Sequence, residues 1–287
     1  MEENNTQPVY SKKRVIITIA AVYVICSIVK YIEFFFIQTD QTFIADNVIC
    51  KIFSIIVLAV ALAIWKLSFK KIGFDLSRIW KNMFYGFALG IATFFVSYLV
   101  EILILYAQGK TVLLGFYVTN FALSGATNAV ELSISALLIC IAGNIINVIA
   151  EEGLFRGLFL YLAKEPFGFK KANFIQALLF GTWHFVTVAL ELKNGTMNIP
   201  TAAVMTVGYI VLAGILALEW GTCVSMTGVL WVGVFEHFFN NFIGNTLHVI
   251  TQTGTDELQI ARIVLSNVLS LTVVLVLNSR KKKLAKA

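Results

Sequence analysis

The sequence predicts an all-α fold, a polytopic integral membrane bundle of about eight transmembrane helices, and three observations support this prediction. Hydrophobic residues make up 59% of the chain and charged residues only 13%, whereas soluble domains contain roughly 45–50% apolar and about 25% charged residues. The mean hydropathy is +0.84. The apolar residues also cluster into runs that approach the roughly 20 residues needed for a membrane-spanning helix. These observations exclude a soluble globular protein.

Apolar runs of this kind occur eight times along the chain. They cover about 14–37, 48–66, 83–106, 134–163, 173–190, 200–218, 223–244 and 259–278. The sixth and seventh runs are separated only by the four residues 219–222. The three prolines are scattered and no Gly-rich or Ser-rich tract forms a linker, so residues 1–287 are predicted to form one integral membrane domain. The first run has no small-residue cleavage site beyond it, and we interpret it as a retained span rather than a signal peptide.

The placement of Lys and Arg predicts that both termini are cytoplasmic. Short cytoplasmic loops accumulate these residues, and the connections at 66–81 and 164–171, with both terminal segments, carry most of them. The outer connections then hold only Lys110 and Lys193, with Arg262 near the start of the last span. The net charge of +6 is therefore attributed to the flanks of membrane spans, and nucleic-acid binding is not expected. Short loops and a compact chain favour the plasma membrane of a bacterium as the location.

Ionisable side chains within the apolar runs are costly in a bilayer, so each is expected either to reach the membrane surface or to have a functional role. Six lie close enough to a predicted helix end to reach the surface: Lys30, Glu33, Lys51, Glu101, Glu191 and Glu219. The remaining polar candidates are Glu151, Glu152, Arg156, His184, Glu236, His237 and Asn241. Two of the three histidines in the chain belong to this second group.

Three of these candidates are predicted to share one depth in the membrane. At a rise of about 1.5 Å per residue, Glu151 is expected about 18 Å, and His184 about 15 Å, from the inner end of its own run. By the same rise, His237 is expected about 21 Å from the inner end of the seventh run. Unrelated polar residues would not be expected to share a layer. The three side chains are therefore predicted to meet in one site.

Helical spacing separates the two adjacent glutamates. Glu152 and Arg156 stand at i and i+4 with the acid first, which is the order that favours an ion pair. Glu151 points about 100° away from Glu152 and has no cation at i+3 or i+4. Gly153 and Gly157 form a small-xxx-small pair that would let another helix approach closely. We therefore expect Glu152 and Arg156 to shape the site and Glu151 to be available for chemistry.

The fifth and seventh apolar runs supply hydrogen-bonding groups. His237 and Asn241 lie one turn apart on one stripe, and Phe180 lies one turn before His184 and could pack against its ring. A carboxyl group in a low dielectric disfavours its charged form and can accept a proton near neutral pH. An imidazole with a carboxamide can donate hydrogen bonds to an oxyanion. Together these groups indicate attack of an activated water on an amide carbonyl.

Other hydrolytic chemistries fit the sequence less well. No Ser or Cys is placed as a nucleophile, and there is no GxSxG elbow. A zinc site built from His184, His237 and Glu151 is chemically feasible, but the HExxH arrangement is missing. We therefore expect no cofactor and keep zinc as the alternative.

Three motifs in these runs resemble those of one family. Residues 151–156 resemble its EExxxR motif, residues 180–184 its FxxxH motif, and residues 237–241 its HxxxN motif. The family is the CAAX protease and bacteriocin-processing family, also called CPBP or Abi, of type II CAAX prenyl endopeptidases. The motifs occur in the family's order, and the region that they mark, about 134–245, resembles its core.

This resemblance implies an intramembrane glutamic endopeptidase with eight spans and a cavity open toward the cytoplasm. It implies that Glu151 with His184 activates the hydrolytic water, while His237 and Asn241 stabilise the oxyanion. Glu152, Arg156 and Phe180 would then shape the site. The substrate implied is a hydrophobic or lipidated peptide, either a prenylated CAAX terminus or a bacteriocin or pheromone precursor.

A second hypothesis is a non-proteolytic membrane protein of the same fold. Polar layers inside a bilayer can serve only to hold helices together. Such a protein would act as a scaffold, an immunity factor or a regulatory protein. A transporter subunit is a further version of this hypothesis, and it would show ion-dependent uptake of its substrate.

Overall fold

The computed structural model describes residues 10–42, 46–119 and 133–285, and over these ranges the protein is an all-α polytopic membrane bundle. The helices are α1 (Lys12–Ile32), α2 (Ile49–Ile64), α3 (Ile79–Ala107), α4 (Ile134–Glu152), α5 (Leu160–Phe167), α6 (Phe169–Thr182), α7 (Phe185–Lys193), α8 (Ile199–Thr227), α9 (Trp231–Thr246) and α10 (Gln259–Leu284). A π-helical segment, Gly153–Phe159, joins α4 to α5. A shorter π-helical turn, Glu33–Ile37, extends α1.

Among the described residues, six helical stretches are long and apolar enough to cross a membrane. They are Lys12–Gln41, Leu76–Ala107, Ile134–Phe167, Phe169–Lys193, Ile199–Thr227 and Gln259–Leu284. Helices α2 and α9 have 16 residues each, a rise of about 24 Å, which is less than the roughly 30 Å of a hydrocarbon core. The count of eight spans therefore stays a prediction. Large side chains such as Phe84, Phe95 and Val204 are more than half exposed, as expected of surfaces that face lipid.

The predicted division between the sixth and seventh runs at residues 219–222 is wrong. Helix α8 continues through these residues to Thr227, and α9 begins at Trp231. Gly228 ends α8 with a φ of +74°, a left-handed conformation that glycine adopts without steric cost. Glu219 can stay inside α8 because the Ser270 hydroxyl of α10 donates a hydrogen bond of 2.5 Å to its carboxylate.

Successive helices place their ends alternately at two faces of the bundle. At one face, the Arg14 guanidinium at the start of α1 lies 4.2 Å from the centre of the Trp65 ring, which follows α2. The connection from α2 to α3 also hydrogen-bonds to the connection from α8 to α9. Lys281 of α10 donates to the carbonyl of Met226 at this same face. The Lys-rich connections thus share one face, and its assignment to the cytoplasm stays a prediction.

The opposite face carries a two-stranded sheet that sequence reasoning did not anticipate. Strand β1 (Val112–Phe116) pairs antiparallel with β2 (Leu247–Thr251). Strand β1 lies in the connection between the third and fourth apolar runs, and residues 120–132 of this connection lie outside the described residues. The sheet therefore joins the outer ends of α3 and α9.

A buried ionic cluster ties this sheet to the bundle. The Arg262 guanidinium of α10 pairs with Glu101 of α3 and, at 2.6 Å, with Asp256. His248 of β2 lies 3.5 Å from the Asp256 carboxylate. Burial by itself would raise the pKa of Asp256, but His248 and Arg262 hold that pKa below its usual range. The cluster therefore keeps the Asp256 carboxylate ionised beside Arg262.

Four of the six side chains expected to reach the membrane surface are buried instead: Lys30, Glu33, Glu101 and Glu219. The Glu33 carboxylate accepts hydrogen bonds from the backbone N–H groups of Ile49 and Cys50, at 2.9 and 2.6 Å. These N–H groups begin α2 and have no partner within the helix, and the helix dipole favours a negative charge there. Proximity to a helix end therefore did not predict exposure.

Two amide side chains of α6 fix its position against α8. Asn173 Nδ2 donates to the carbonyl of Leu218 at 2.9 Å, and Gln176 Nε2 donates to that of Ala217 at 2.8 Å. Buried amides keep such bonds because an unpaired polar group in an apolar interior is costly. These contacts fix the position along α8 against which α6 packs.

Candidate active site

The site begins where α4 ends. Glu151 and Glu152 are the last two residues of α4, and the π-helical segment Gly153–Phe159 follows directly. Segments with this wider turn occur frequently at functional sites. A Cβ added at Gly153 would lie 2.6 Å from Leu58 of α2, so the predicted close approach of another helix is confirmed.

Glu152 is enclosed, and its charge is compensated within the protein. Its Oε2 lies 3.4 Å from Arg156 Nε, which confirms the predicted i, i+4 ion pair, and both side chains are fully buried. Its Oε1 lies 3.0 Å from Nδ1 of His237. The Arg156 guanidinium also lies over two aromatic rings, 4.0 Å from the centre of Phe180 and 4.8 Å from that of Trp220. Such contacts stabilise a desolvated cation.

Glu151 lies in a more open setting than its neighbour. The indole Nε1 of Trp183 donates to Oε1 at 2.9 Å, and Asn147 Nδ2 donates to Oε2 at 3.3 Å. The carboxylate borders a cavity of about 60 Å³ between α1, α2 and α4. One water needs roughly 10–15 Å³ of such space. The cavity can therefore hold water beside an oriented carboxylate.

His237 of α9 links the two glutamates. Its Nε2 lies 3.6 Å from Glu151 Oε2, and its ring stacks on Trp220 with the ring centres 4.2 Å apart. An ionised Glu152 can only accept a hydrogen bond, so we assign a proton to Nδ1 and conclude that Nε2 faces Glu151. The predicted meeting of α4 and the HxxxN segment is confirmed. The predicted depth of His237 is wrong, because α9 begins at Trp231 and puts it about 9 Å from the end of its helix.

His184 lies near Glu151 without a direct bond to it in the described structure. It sits at a break between α6 and α7 that the sequence did not predict. Its Nδ1 lies 3.0 Å from the carbonyl oxygen of Phe180, and its ring stacks parallel to Tyr209. The Phe180 ring packs edge-on against both histidines, with ring centres 5.1 Å from His184 and 6.1 Å from His237. The predicted packing of Phe180 on His184 is confirmed.

Asn241 lies one turn beyond His237 on α9 and is half-buried. Within the described ranges its side chain makes no intramolecular hydrogen bond. The neighbouring Asn240 differs, because its amide donates to Asn267 of α10 at 2.9 Å. The Asn241 carboxamide therefore has its donors available.

Several residues at the site were missed by sequence reasoning. Asn147 and Trp183 orient Glu151, and Trp220 packs on His237. Asn147 lies at i−4 from Glu151, a spacing that could have been noticed. The tryptophans carry no signal of their role, because any apolar position in a span accepts them. Glu236, singled out in the sequence, bonds to Trp220 and Ser270 rather than to Glu151.

The donor set also bears on the zinc alternative. Over the described ranges, no three His, Cys, Asp or Glu side chains converge in an arrangement that could hold a metal ion. Nδ1 of His184 is engaged by the Phe180 carbonyl, so a zinc ion held by Glu151, His184 and His237 would have to bind His184 through Nε2.

The part of the sequence that carries this geometry matches a known protein family. Residues 133–243 match the family model described as type II CAAX prenyl endopeptidase Rce1-like. Over this segment the chain is similar to the Rce1-like family. The match coincides with the predicted core 134–245 to within two residues at each end. No curated protein and no solved structure matches the chain.

The Rce1-like segment runs from the start of α4 into α9 and contains Glu151, His184, His237 and Asn241. The family match indicates a CAAX-type intramembrane protease. Helices α1 to α3 and α10 lie outside the Rce1-like segment. Helices α1 and α2 nevertheless line the cavity beside Glu151.

Proposed function

We propose that this protein is an intramembrane glutamic endopeptidase that hydrolyses a peptide bond with a water activated by Glu151. The observation that carries the proposal is the contrast between two adjacent glutamates. Glu152 is enclosed and ion-paired, whereas Glu151 is held by neutral donors at the edge of a water-sized cavity. A carboxylate that is oriented by hydrogen bonds and is not held in a direct ion pair with Lys or Arg can accept a proton from water.

In the proposed reaction, the water oxygen attacks the peptide carbonyl carbon while one water proton passes to Glu151. Asn241 donates a hydrogen bond to the oxyanion of the tetrahedral intermediate, and His237 donates a second one through Nε2 when its ring carries protons on both nitrogens, with Nδ1 still on Glu152. The proton on Glu151 then moves to the amide nitrogen as the C–N bond breaks, which restores the carboxylate. His184 orients the water through its Nε2, because its Nδ1 already faces the Phe180 carbonyl.

The proposed substrate is a hydrophobic or lipidated peptide. The family match supports a CAAX-type terminus, and a bacteriocin or pheromone precursor would present a similarly apolar segment. The site lies among helices that are long and apolar enough to span a membrane, so an apolar peptide can approach through the bilayer or from its inner face. The bacterial plasma membrane stays the predicted location.

Direct hydrolysis tests this proposal. Purified protein in lipid nanodiscs should cleave a farnesylated CAAX peptide or an apolar precursor peptide, and mass spectrometry should identify a new carboxyl terminus. An unlipidated, polar peptide of equal length is the control. Two results together would favour the non-proteolytic scaffold: none of these peptides is cleaved, and the Glu151→Gln variant keeps the cellular effect of the wild-type protein.

The same preparation separates metal-free hydrolysis from the zinc alternative. We expect cleavage to persist in the presence of a chelator. Elemental analysis of active protein should then find less than stoichiometric zinc. One zinc per chain, together with loss of activity on chelation and recovery on adding zinc back, would overturn the metal-free mechanism.

Asn241→Ala should lower kcat by about 100- to 1000-fold, as loss of one oxyanion donor does, with little change in KM. The carboxamide would act on the intermediate rather than on the bound substrate, which is the reason for this split. Asn240→Ala is the matched control, because Asn240 bonds to Asn267 and should leave kcat unchanged. Equal losses in both variants would remove Asn241 from the proposed oxyanion site.

A further inference from the structure

A buried lysine from outside the Rce1-like segment lies close to Glu151. Lys30 of α1 is 8% exposed. Its Nζ donates to the backbone carbonyl of Trp183 at 3.1 Å and lies 4.3 Å from the centre of the Trp183 ring. In the part of the chain that the structure describes, no carboxylate lies within ion-pair distance of this ammonium. A buried ammonium without a direct counter-ion is costly in a membrane protein and suggests a function.

The acids and bases around Lys30 do not neutralise it. Glu33, one turn along α1, directs its carboxylate to the backbone N–H groups of Ile49 and Cys50. Lys51 of α2 borders the same cavity, but its ammonium is bound by both carboxylate oxygens of Asp46 at 2.6 Å. Lys30 is therefore the lysine of this cavity whose charge remains available to Glu151.

Trp183 connects Lys30 to Glu151. Lys30 holds the backbone carbonyl and the ring face of Trp183, while the indole Nε1 of the same residue donates to Glu151 Oε1 at 2.9 Å. A ring fixed on one face and at its backbone cannot turn without losing the bond to Glu151. Lys30 and Glu151 also border one cavity, so the positive charge acts on the carboxylate across a medium of low dielectric.

Other charged and titratable groups face Glu151 from every side. They are His237 of α9, His184 between α6 and α7, Cys50 and Lys51 of α2, and the ion pair of Glu152 with Arg156. The two histidines are charged only when protonated. The charge of Lys51 is balanced by Asp46, and that of Glu152 by Arg156. Lys30 is accordingly the lysine that faces Glu151 across the cavity without a direct carboxylate partner among the described residues.

Given the proposed function on which it rests, we infer that Lys30 is a positioning residue for the reaction. Through Trp183, and through its charge across the cavity, it keeps the Glu151 carboxylate ionised and turned toward the water. Helix α1, which the Rce1-like match does not include, thus contributes a part of the working site.

Kinetics of Lys30→Met, Lys30→Arg and Lys193→Met test this role. Lys30→Met keeps the length of the side chain and removes its charge, so kcat should fall by up to about 100-fold, with KM nearly constant. The acidic limb of its pH–rate profile should move to higher pH. Lys30→Arg should restore most of kcat and the profile. Lys193 also donates to a backbone carbonyl, that of Phe35, but lies outside the cavity, so Lys193→Met should behave as the wild type. Wild-type kinetics in Lys30→Met, or an equal loss in Lys30→Arg, would overturn the inference.

Chemical rescue covers the case in which Lys30→Met fails to fold. In Lys30→Ala, ethylammonium should recover part of kcat because it returns a cation to the space left by the side chain. Ethanol, which is neutral and of similar size, should not. If ethylammonium gives no rescue and Lys30→Arg is not both folded and active, then Lys30 only holds α1 in place.

An infrared measurement separates this inference from the proposed function. A protonated carboxyl band should appear at neutral pH in Lys30→Met and vanish in the double variant Lys30→Met/Glu151→Gln. This result does not depend on turnover. If the wild type cleaves no peptide, the proposed function fails, and the carboxyl band still decides whether Lys30 keeps Glu151 ionised.

Discussion

Glu151→Gln should lower peptide hydrolysis by about 100- to 10,000-fold, the range typical of a lost general base. The amide keeps the size of the side chain and an oxygen that can accept from Trp183 Nε1, but it cannot take a proton from water. Turnover of a lipidated peptide in nanodiscs measures the effect. Thermal unfolding of the purified variant should match that of the wild type.

The control for this variant is Glu191→Gln, which removes a carboxylate of α7 that, among the described residues, forms no hydrogen bond or ion pair with Glu151 or the two histidines. It should keep wild-type turnover. If Glu151→Gln also kept full activity, the water would have to be activated by another group. A loss of turnover that accompanied unfolding would instead point to a structural role for Glu151.

Arg156→Met should lower the free energy of unfolding by about 3–5 kcal/mol, the usual cost of removing one partner of a buried ion pair. Glu152 and Arg156 are both fully buried, so the remaining carboxylate could not be hydrated. The stacking of the guanidinium on Phe180 and Trp220 would be lost as well. Thermal or denaturant unfolding in a fixed detergent measures the change.

The double variant Glu152→Gln/Arg156→Met should recover much of that stability. It removes both charges of the pair, and the amide oxygen of the glutamine can still accept from His237 Nδ1, as Glu152 does now. Replacement of a whole buried ion pair by neutral groups is often close to neutral in stability. If the double variant were as unstable as Arg156→Met, packing of the guanidinium rather than the unpaired charge would explain the loss.

Short-range features of the site could be predicted from the sequence because they depend on helical geometry. The pairing of Glu152 with Arg156 and the packing of Phe180 on His184 follow from residues one turn apart, and both are present. The same holds for the close approach at Gly153. The three motifs were likewise enough to delimit the family segment that residues 133–243 match.

Contacts between helices could not be predicted in the same way. Hydropathy placed a boundary at residues 219–222, where Ser270 of α10 in fact donates a hydrogen bond to Glu219 within the bundle. Lys30 was expected to reach the surface, yet the carbonyl and ring of Trp183 retain it inside. In each case the partner lies on a helix far away in the chain. A periodic pattern carries no information about that partner.

The amino-acid order by itself determined a membrane-embedded helical protein, the approximate positions of its helices and the family of its central segment. These follow from the cost of polar groups in lipid and from the 3.6-residue turn. Tertiary structure alone decided that His237 rather than His184 faces Glu151, that Gly228 separates α8 from α9, and that α1 delivers Lys30 to the cavity. These contacts depend on how each helix is rotated and packed against its neighbours. Sequences with the same hydrophobic pattern can pack their helices in different ways.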